Sequence, residues 1–443
     1  MTAQPTSRQQ SAQPAQPGSR LRSEFEHLLQ HDGCPVCRHV AETERAFFAW
    51  FVMDSFAAGE VQAQIRASMG MCPRHMRRLI DATGGGHVMT MVMRHAVLGA
   101  RAAVRESAPR GPCPACVAAQ SAVRRGVAIV LDGLTDPTHA RLYAGHSGMC
   151  VRHVVNAVQR ADPGALALVG PRLLDSLADA PGDSLIELVA GIDSDAEPRA
   201  RSRGQLPDEH PARSTLAGLA DRLATDTCPV CLSAGWIERR YIVWLVESST
   251  ARDASIPDDP GELCARHLHD VAFADRVIAA EAAARARDAR RAELHALLDA
   301  LAAAPPPSHR GRQGRSEQLE HARSALSSAH YCPACHAVDE AGRSQLSLVS
   351  TSLALAPSRD HYLRNHGLCV GHAVQVTDED VTQVVRRHGD ARLAVLGWEL
   401  EETARKYAWS YRHEPAGPER HAWLRAAVQI DGHVFEGSPA PVG

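Results

Sequence analysis

Four stretches of the chain place apolar side chains along one face of a helix. Val123, Val127, Val130, Leu131 and Leu134 recur at i, i+4, i+7, i+8 and i+11, the period of an amphipathic helix. Ile237, Tyr241, Trp244 and Leu245 repeat the spacing, with shorter versions at Val40, Phe47 and Phe51 and at Leu346, Val349 and Leu353. Turn signals then interrupt the pattern at Ala58-Gly59, Asp132-Gly133, Asp136-Pro137 and Pro257-Asp258-Asp259-Pro260. This predicts a helix of about 15 residues running roughly 22 Å out, with a second segment running back. Apolar helical stretches also lie outside these hairpins, at Leu21, Phe25, Leu28 and Leu29, at Leu216, Leu219 and Leu223, and over 87–107 and 265–303. The expected fold is all-α, a tandem array of helical hairpins.

The cysteines give the array its repeat. Cys34-Pro-Val-Cys37 is followed by Cys72-Pro-Arg-His75, and Cys113-Pro-Ala-Cys116 by Cys150-Val-Arg-His153. Cys228-Pro-Val-Cys231 precedes Cys264-Ala-Arg-His267, and Cys332-Pro-Ala-Cys335 precedes Cys369-Val-Gly-His372. All twelve cysteines are used. Each C-P-x-C is separated from the next C-x-x-H by 34, 33, 32 and 33 residues in turn, whereas each C-x-x-H is followed by gaps of 37, 74 and 64. The constant interval suggests that each metal is held within one repeat, so that Cys34, Cys37, Cys72 and His75 surround one ion. Proline after the first cysteine suits the first turn of a helix. Gly70, Gly148 and Gly367, each two residues before a third cysteine, suit a left-handed stop.

The repeats divide the chain into a tail over 1–20, repeats over 21–110 and 111–192, a polar linker over 193–213, a third repeat over 214–303, a linker over 304–315, a fourth repeat with C-terminal helices over 316–430, and a tail over 431–443.

Three thiolates and one imidazole fill a tetrahedron and suit four Zn²⁺ ions in closed sites. An iron–sulfur cluster is the alternative, although such clusters usually take four cysteines. A redox dithiol at each C-P-x-C would leave the C-x-x-H halves unexplained. Cys332-Pro-Ala-Cys335-His336 matches the c-type haem attachment pattern, but Arg38, Val117 and Leu232 stand at that position in the other repeats. Arg74, Arg152 and Arg266 each precede the fourth ligand, placed to shield an anionic centre. His146 and His366 read as surface residues or as supports for the third cysteine.

Composition narrows the chemistry. Aromatic residues are only 4% of the chain, so the core is built from Ala, Leu and Val and gains from staples. Lys406 is the one lysine, which excludes a Walker-type phosphate loop. The formal net charge of −3 gives no attraction toward nucleic acid. Twelve thiolates on four Zn²⁺ ions would add 2 − 3 = −1 per site, bringing the total to about −7. The chain shows no secretory signal pattern and no 18-residue apolar run, so a membrane span is not expected and a reducing cytoplasm is.

The C-P-x-C…C-x-x-H unit, the acidic helix start Glu42-Thr43-Glu44-Arg45, the glycine before the third cysteine, and the closing Lys406-Tyr407, Tyr411-Arg412-His413-Glu414-Pro415 and Trp423 together resemble an uncharacterised bacterial family of cytosolic helical proteins. The resemblance implies a multi-repeat helical metal protein and no particular activity. No catalytic constellation stands out, and filled four-ligand sites leave no place for substrate. The expected role is a scaffold for a protein partner, with a redox sensor or an accessory enzyme with a cleft between its halves as alternatives.

Overall fold

The computed structural model describes residues 17–177, 182–191, 223, 227–250, 263–303 and 332–432. The expected linkers at 193–213 and 304–315, the Pro257–Pro260 turn and most of both tails lie outside the described residues. Among the described residues there are α-helices and no strand, so the fold is all-α. No described helix is long and apolar enough to cross a membrane.

The long helices are α2 (Pro35–Trp50), α6 (Pro114–Leu134), α11 (Pro229–Thr250) and α14 (Pro333–Leu353). Each opens on the proline of a C-P-x-C motif. Cys34, Cys113 and Cys332 are the N-caps with proline in the first turn, where its missing N–H costs nothing. The C-x-x-H motifs open helices as well. Cys72, Cys150, Cys264 and Cys369 cap α4 (Pro73–Thr83), α8 (Val151–Arg160), α12 (Ala265–Ala274) and α16 (Val370–Ala373).

Here the structure corrects the expected pairing. The return arm is too short in the three hairpins where it is described: α3 (Gly59–Ala67), α7 (Pro137–Ala144) and α15 (Ala356–Arg364) have only 9, 8 and 9 residues. A helix of 21 residues, as in α6, runs about 31 Å out, and 8 residues bring the chain back by about 12 Å. The C-x-x-H therefore stays near the far end of its own long helix.

What it meets there is the start of a neighbouring long helix, because α2 packs on α6 and α11 on α14. These pairs are antiparallel. A methyl group at Gly126, in the middle of α6, would touch Val36 at the start of α2 at 3.4 Å. Glu44, eight residues further along α2, reaches the cluster at the start of α6. Each motif half thus finds its complement in the other repeat.

The remaining helices join the two halves of the chain. In the first half, α1 (Pro17–Leu28) and α9 (Pro163–Asp175) pack on the α2/α6 pair, and α5 (His87–Glu106) and α10 (Gly182–Ala190) lie beyond it. In the second, the corresponding helices are α13 (Arg276–Ala303), α17 (Glu379–Tyr407) and α18 (Ala422–Asp431). Helix α5 packs on α17 and α18, and α9 and α10 pack on α13. Two apolar cores join the halves, one containing Val130, Leu173, Ile278 and Leu294, the other Met93, Val97, Leu393 and Leu400, and a third with Val230, Val349 and Leu368 lies in the second half. The stretch expected as one helix over 265–303 is broken at Asp275, whose Oδ1 accepts the Val277 and Ile278 N–H groups at 2.8 and 3.1 Å and caps a new helix.

Candidate metal centres

The structure gathers the sixteen predicted residues into four clusters with one arrangement. Two are outer sites, Cys34, Cys37, Cys150 and His153 in the first half, and Cys228, Cys231, Cys369 and His372 in the second. Two are inner sites, Cys72, His75, Cys113 and Cys116, and Cys264, His267, Cys332 and Cys335. The inner set lies within the sequence span of the outer one in each half. Each cluster could hold a metal ion.

In every cluster the histidine Nδ1 faces the three sulfurs, at 3.2–3.4 Å around His153 and 3.2–3.5 Å around His75. The second half repeats this at 3.2–3.5 Å around His372 and 3.2–3.4 Å around His267. The closest sulfur pairs lie 3.6–3.7 Å apart, too far for a disulfide, whose bond is about 2.05 Å. All twelve cysteines are free thiols.

Two helix N-termini converge on each cluster, so unpaired N–H groups and both helix dipoles favour negative charge there. Hydrogen bonds from Cys116 and Cys72 pull the Cys113 thiol far down, while the same contacts push Cys116 up. The hydrogen bond from Cys264 likewise holds Cys332 down, to about 3, and that same bond, with burial, pushes Cys264 up. Three thiols so close cannot all ionise by themselves; a cation lets them do so.

Sequence reasoning missed a feature of the inner sites. Glu44 is 1% exposed; its Oε1 accepts the His75 Nε2–H at 2.9 Å and its Oε2 accepts Arg74 Nη2 at 3.1 Å and Arg78. Glu238 accepts the His267 Nε2–H at 2.7 Å, and Arg266 as well. Burial works against the Glu44 charge, but the His75 bond and the two arginines hold its carboxyl below the usual range. Burial would lower His75, yet its bonds to Cys113, Cys72 and Glu44 raise it to about 11. A carboxylate on the outer nitrogen fixes the ring and makes the facing nitrogen a better ligand. The signal was present: both glutamates stand ten residues after the first cysteine of their C-P-x-C. The expected shielding arginines, Arg74 and Arg266, reach these glutamates. We expect Glu44→Gln to weaken metal binding at its inner site by about 10- to 100-fold. Competition against a chromogenic chelator measures this, and unchanged affinity would show the glutamate to be only a packing residue.

The outer sites carry other supports, also missed. The Tyr143 and Tyr362 hydroxyls, buried seven residues before Cys150 and Cys369, accept the Met149 and Leu368 N–H groups at 2.9 and 3.1 Å. Gly191 and Gly432 end α10 and α18 at φ 78° and 77°. A methyl group on Gly191 would sit 2.9 Å from the Cys37 sulfur, and one on Gly432 would collide with Cys231. Only glycine lets the backbone close on these sulfurs in that conformation. Gly70, Gly148 and Gly367 have positive φ as expected. His366 is buried, not on the surface. His146 ties two loops together, its Nε2 donating to the His31 carbonyl at 2.7 Å and its Nδ1 accepting the Gly148 N–H at 3.1 Å. His336 stands on the surface of α14 beside Glu340 and is not a member of any cluster.

Comparison of the chain with family models, curated proteins and solved structures finds no match.

Proposed function

We propose that the protein is a zinc protein whose four ions hold its helices together and that its surface serves a protein partner in a reducing compartment such as the cytoplasm. The observation that carries the zinc reading is the size of the clusters. A tetrahedron with Zn–S of about 2.3 Å and Zn–N of about 2.0 Å has S···S edges of about 3.8 Å and S···N edges of about 3.5 Å. The clusters have 3.6–3.7 Å and 3.2–3.5 Å. That is room for one ion. A polynuclear iron–sulfur cluster interposes its own irons and sulfides and would spread the cysteines apart.

All four positions of each tetrahedron are filled by protein, which leaves no coordination site for a substrate or an activated water. That favours structural sites over catalytic ones. Support for a partner is the exposure of large side chains in an aromatic-poor chain: Trp398 and Trp409 are 67% and 74% exposed, and exposed aromatics are favoured at protein interfaces.

The test is elemental analysis with absorbance on protein purified without oxygen. Four equivalents of zinc per chain and no visible absorbance are expected. Stoichiometric iron with absorbance in the visible would replace the zinc reading with the redox alternative. Two equivalents of zinc or fewer in folded protein would sink the four-site reading.

A further inference from the structure

Each outer cluster is closed by the end of one helix, and that same helix end also reaches an inner cluster of the opposite half. At the end of α18, a methyl group on Gly432 would collide with the Cys231 sulfur and stand 3.4 Å from that of Cys369. One turn earlier, the buried Gln429 Nε2 donates to the Leu368 carbonyl, next to Cys369, at 3.0 Å. Asp431 faces the other way, into the first half. Its carboxylate accepts the Arg110 guanidinium. Arg110 in turn donates to the Met71 carbonyl, next to Cys72, and to the Ser68 carbonyl, both at 2.9 Å. It also stands three residues before Cys113. The last turn of α18 thus grips the residue before Cys369 directly and the residue before Cys72 through Arg110.

Helix α10 makes the same bridge in the opposite direction. A methyl group on Gly191 would lie 2.9 and 3.5 Å from the Cys37 and Cys150 sulfurs of the first-half outer cluster. The Gly191 carbonyl accepts the His269 Nε2–H at 2.9 Å, and His269 stands on α12 two residues after His267 of the second-half inner cluster. The packing agrees, with α10 against α8 and α12, and α18 against α16 and α5. The two bridges differ in strength. Ala190 occupies the place of Asp431 at the end of α10, so only α18 carries an ion pair. The Asp431 side chain is 1% exposed. Burial lifts its carboxyl only to about 6, so it is ionised at neutral pH, and its removal leaves the Arg110 charge without that partner.

We propose that the end of α18 couples the outer metal centre of the second half to the inner one of the first half through Asp431 and Arg110, so that loss of either ion loosens the other. The inference rests on the metal reading. Emptying the Cys231 cluster frees the backbone that Gly432 presses against it, and the Asp431–Arg110 pair passes that freedom to the loop ahead of Cys72. Such coupling is reciprocal by thermodynamic necessity. The α10 bridge does the same for the other two centres with a single hydrogen bond.

The experiment is pulsed alkylation of the full zinc-loaded chain by N-ethylmaleimide in the presence of a chelator, at neutral pH. Mass spectrometry resolves the cysteines, and zinc is counted on the same samples. Cys231→Ser should make Cys72, Cys113 and Cys116, across in the first half, react several-fold faster. Cys34, Cys37 and Cys150 in that same half should keep their parent rates. Asp431→Asn, which leaves all sixteen ligands in place, should also quicken Cys72, Cys113 and Cys116. Adding Cys231→Ser to Asp431→Asn should then bring no further increase, because the bridge is already cut. Cys72 labelling that is unmoved in either variant, or that quickens no more than Cys34 labelling, would overturn the coupling alone. Fewer than four zinc equivalents in the folded parent chain would overturn the metal reading and this inference with it.

Discussion

Replacing Cys34 and Cys150 together with serine removes one zinc ion from the chain, whereas replacing Cys34 and Cys72 together removes two. The sequence spacing alone implies the reverse, because Cys34 and Cys72 belong to one repeat. In the structure Cys37 lies 3.7 Å from Cys150, and Cys34 lies 3.3 Å from the His153 ring; Cys72 instead lies 3.6 Å from Cys116. Stability should follow the same division. Residues that share one site couple strongly, so the second serine at an already broken site costs little more. Serines at two sites cost nearly the sum. Zinc counting and denaturant titration of the two double variants check both statements. Loss of two ions from the Cys34/Cys150 variant and of one from the Cys34/Cys72 variant would return the chain to pairing within repeats.

Stripping all four ions at neutral pH should unfold most of the helical array, and returning zinc should restore it. Apparent binding free energies at structural zinc sites are about 10–16 kcal/mol, and they are folding free energies when no site exists in the unfolded chain. That matches the whole stability of an ordinary domain, about 5–15 kcal/mol. Without the cation each cluster is a group of closely packed thiols with a buried imidazole, placed where two helix ends meet. The cores around them rest largely on Ala, Val and Leu, and long aromatic-free stretches bury little area per residue. Far-ultraviolet circular dichroism during chelation gives the answer. Retention of full helical signal and an unchanged melting temperature would mean that the metals serve some purpose other than folding.

The helices and the ligands could be read from the chain; the partners could not. Period 3.6 at Val123 to Leu134 marked α6, and proline after Cys113 marked its start, because both are local consequences of backbone geometry. The sixteen clustered residues were visible because three thiols and an imidazole have few other uses at that spacing. The constant interval between motif halves was misread as the distance across one metal. It reflects instead the common length of a long helix with a short return arm, seen in the three repeats whose return arms are among the described residues. Choosing between the readings depended on α7 being only 8 residues long, and Ala58-Gly59 and Asp136-Pro137 mark where a turn begins but not how far the return arm runs. Glu44 and Glu238 were hidden for another reason: a glutamate on a helix is ordinarily solvated, and nothing local announces a buried one. Their shared offset from the C-P-x-C was the available sign. Asp275 split one expected helix in two because an alanine-rich run masks a cap within it.

The placing of one site inside the span of another also sets an order of events as the chain is made. The inner site of the first half joins residues 44 apart, from Cys72 to Cys116, whereas the outer one spans 119, from Cys34 to His153. At about 5–20 residues per second, the ribosome delivers Cys116 several seconds before His153. The inner ion can be captured while the outer ligands are still incomplete, and closing it shortens the flexible loop left for the outer ion to close. The second half repeats the sequence with spans of 71 and 144. With metals bound, this nesting would load the ions from the inside outward, twice, and leave Cys34 and Cys37 open to wrong partners for longest in the first half.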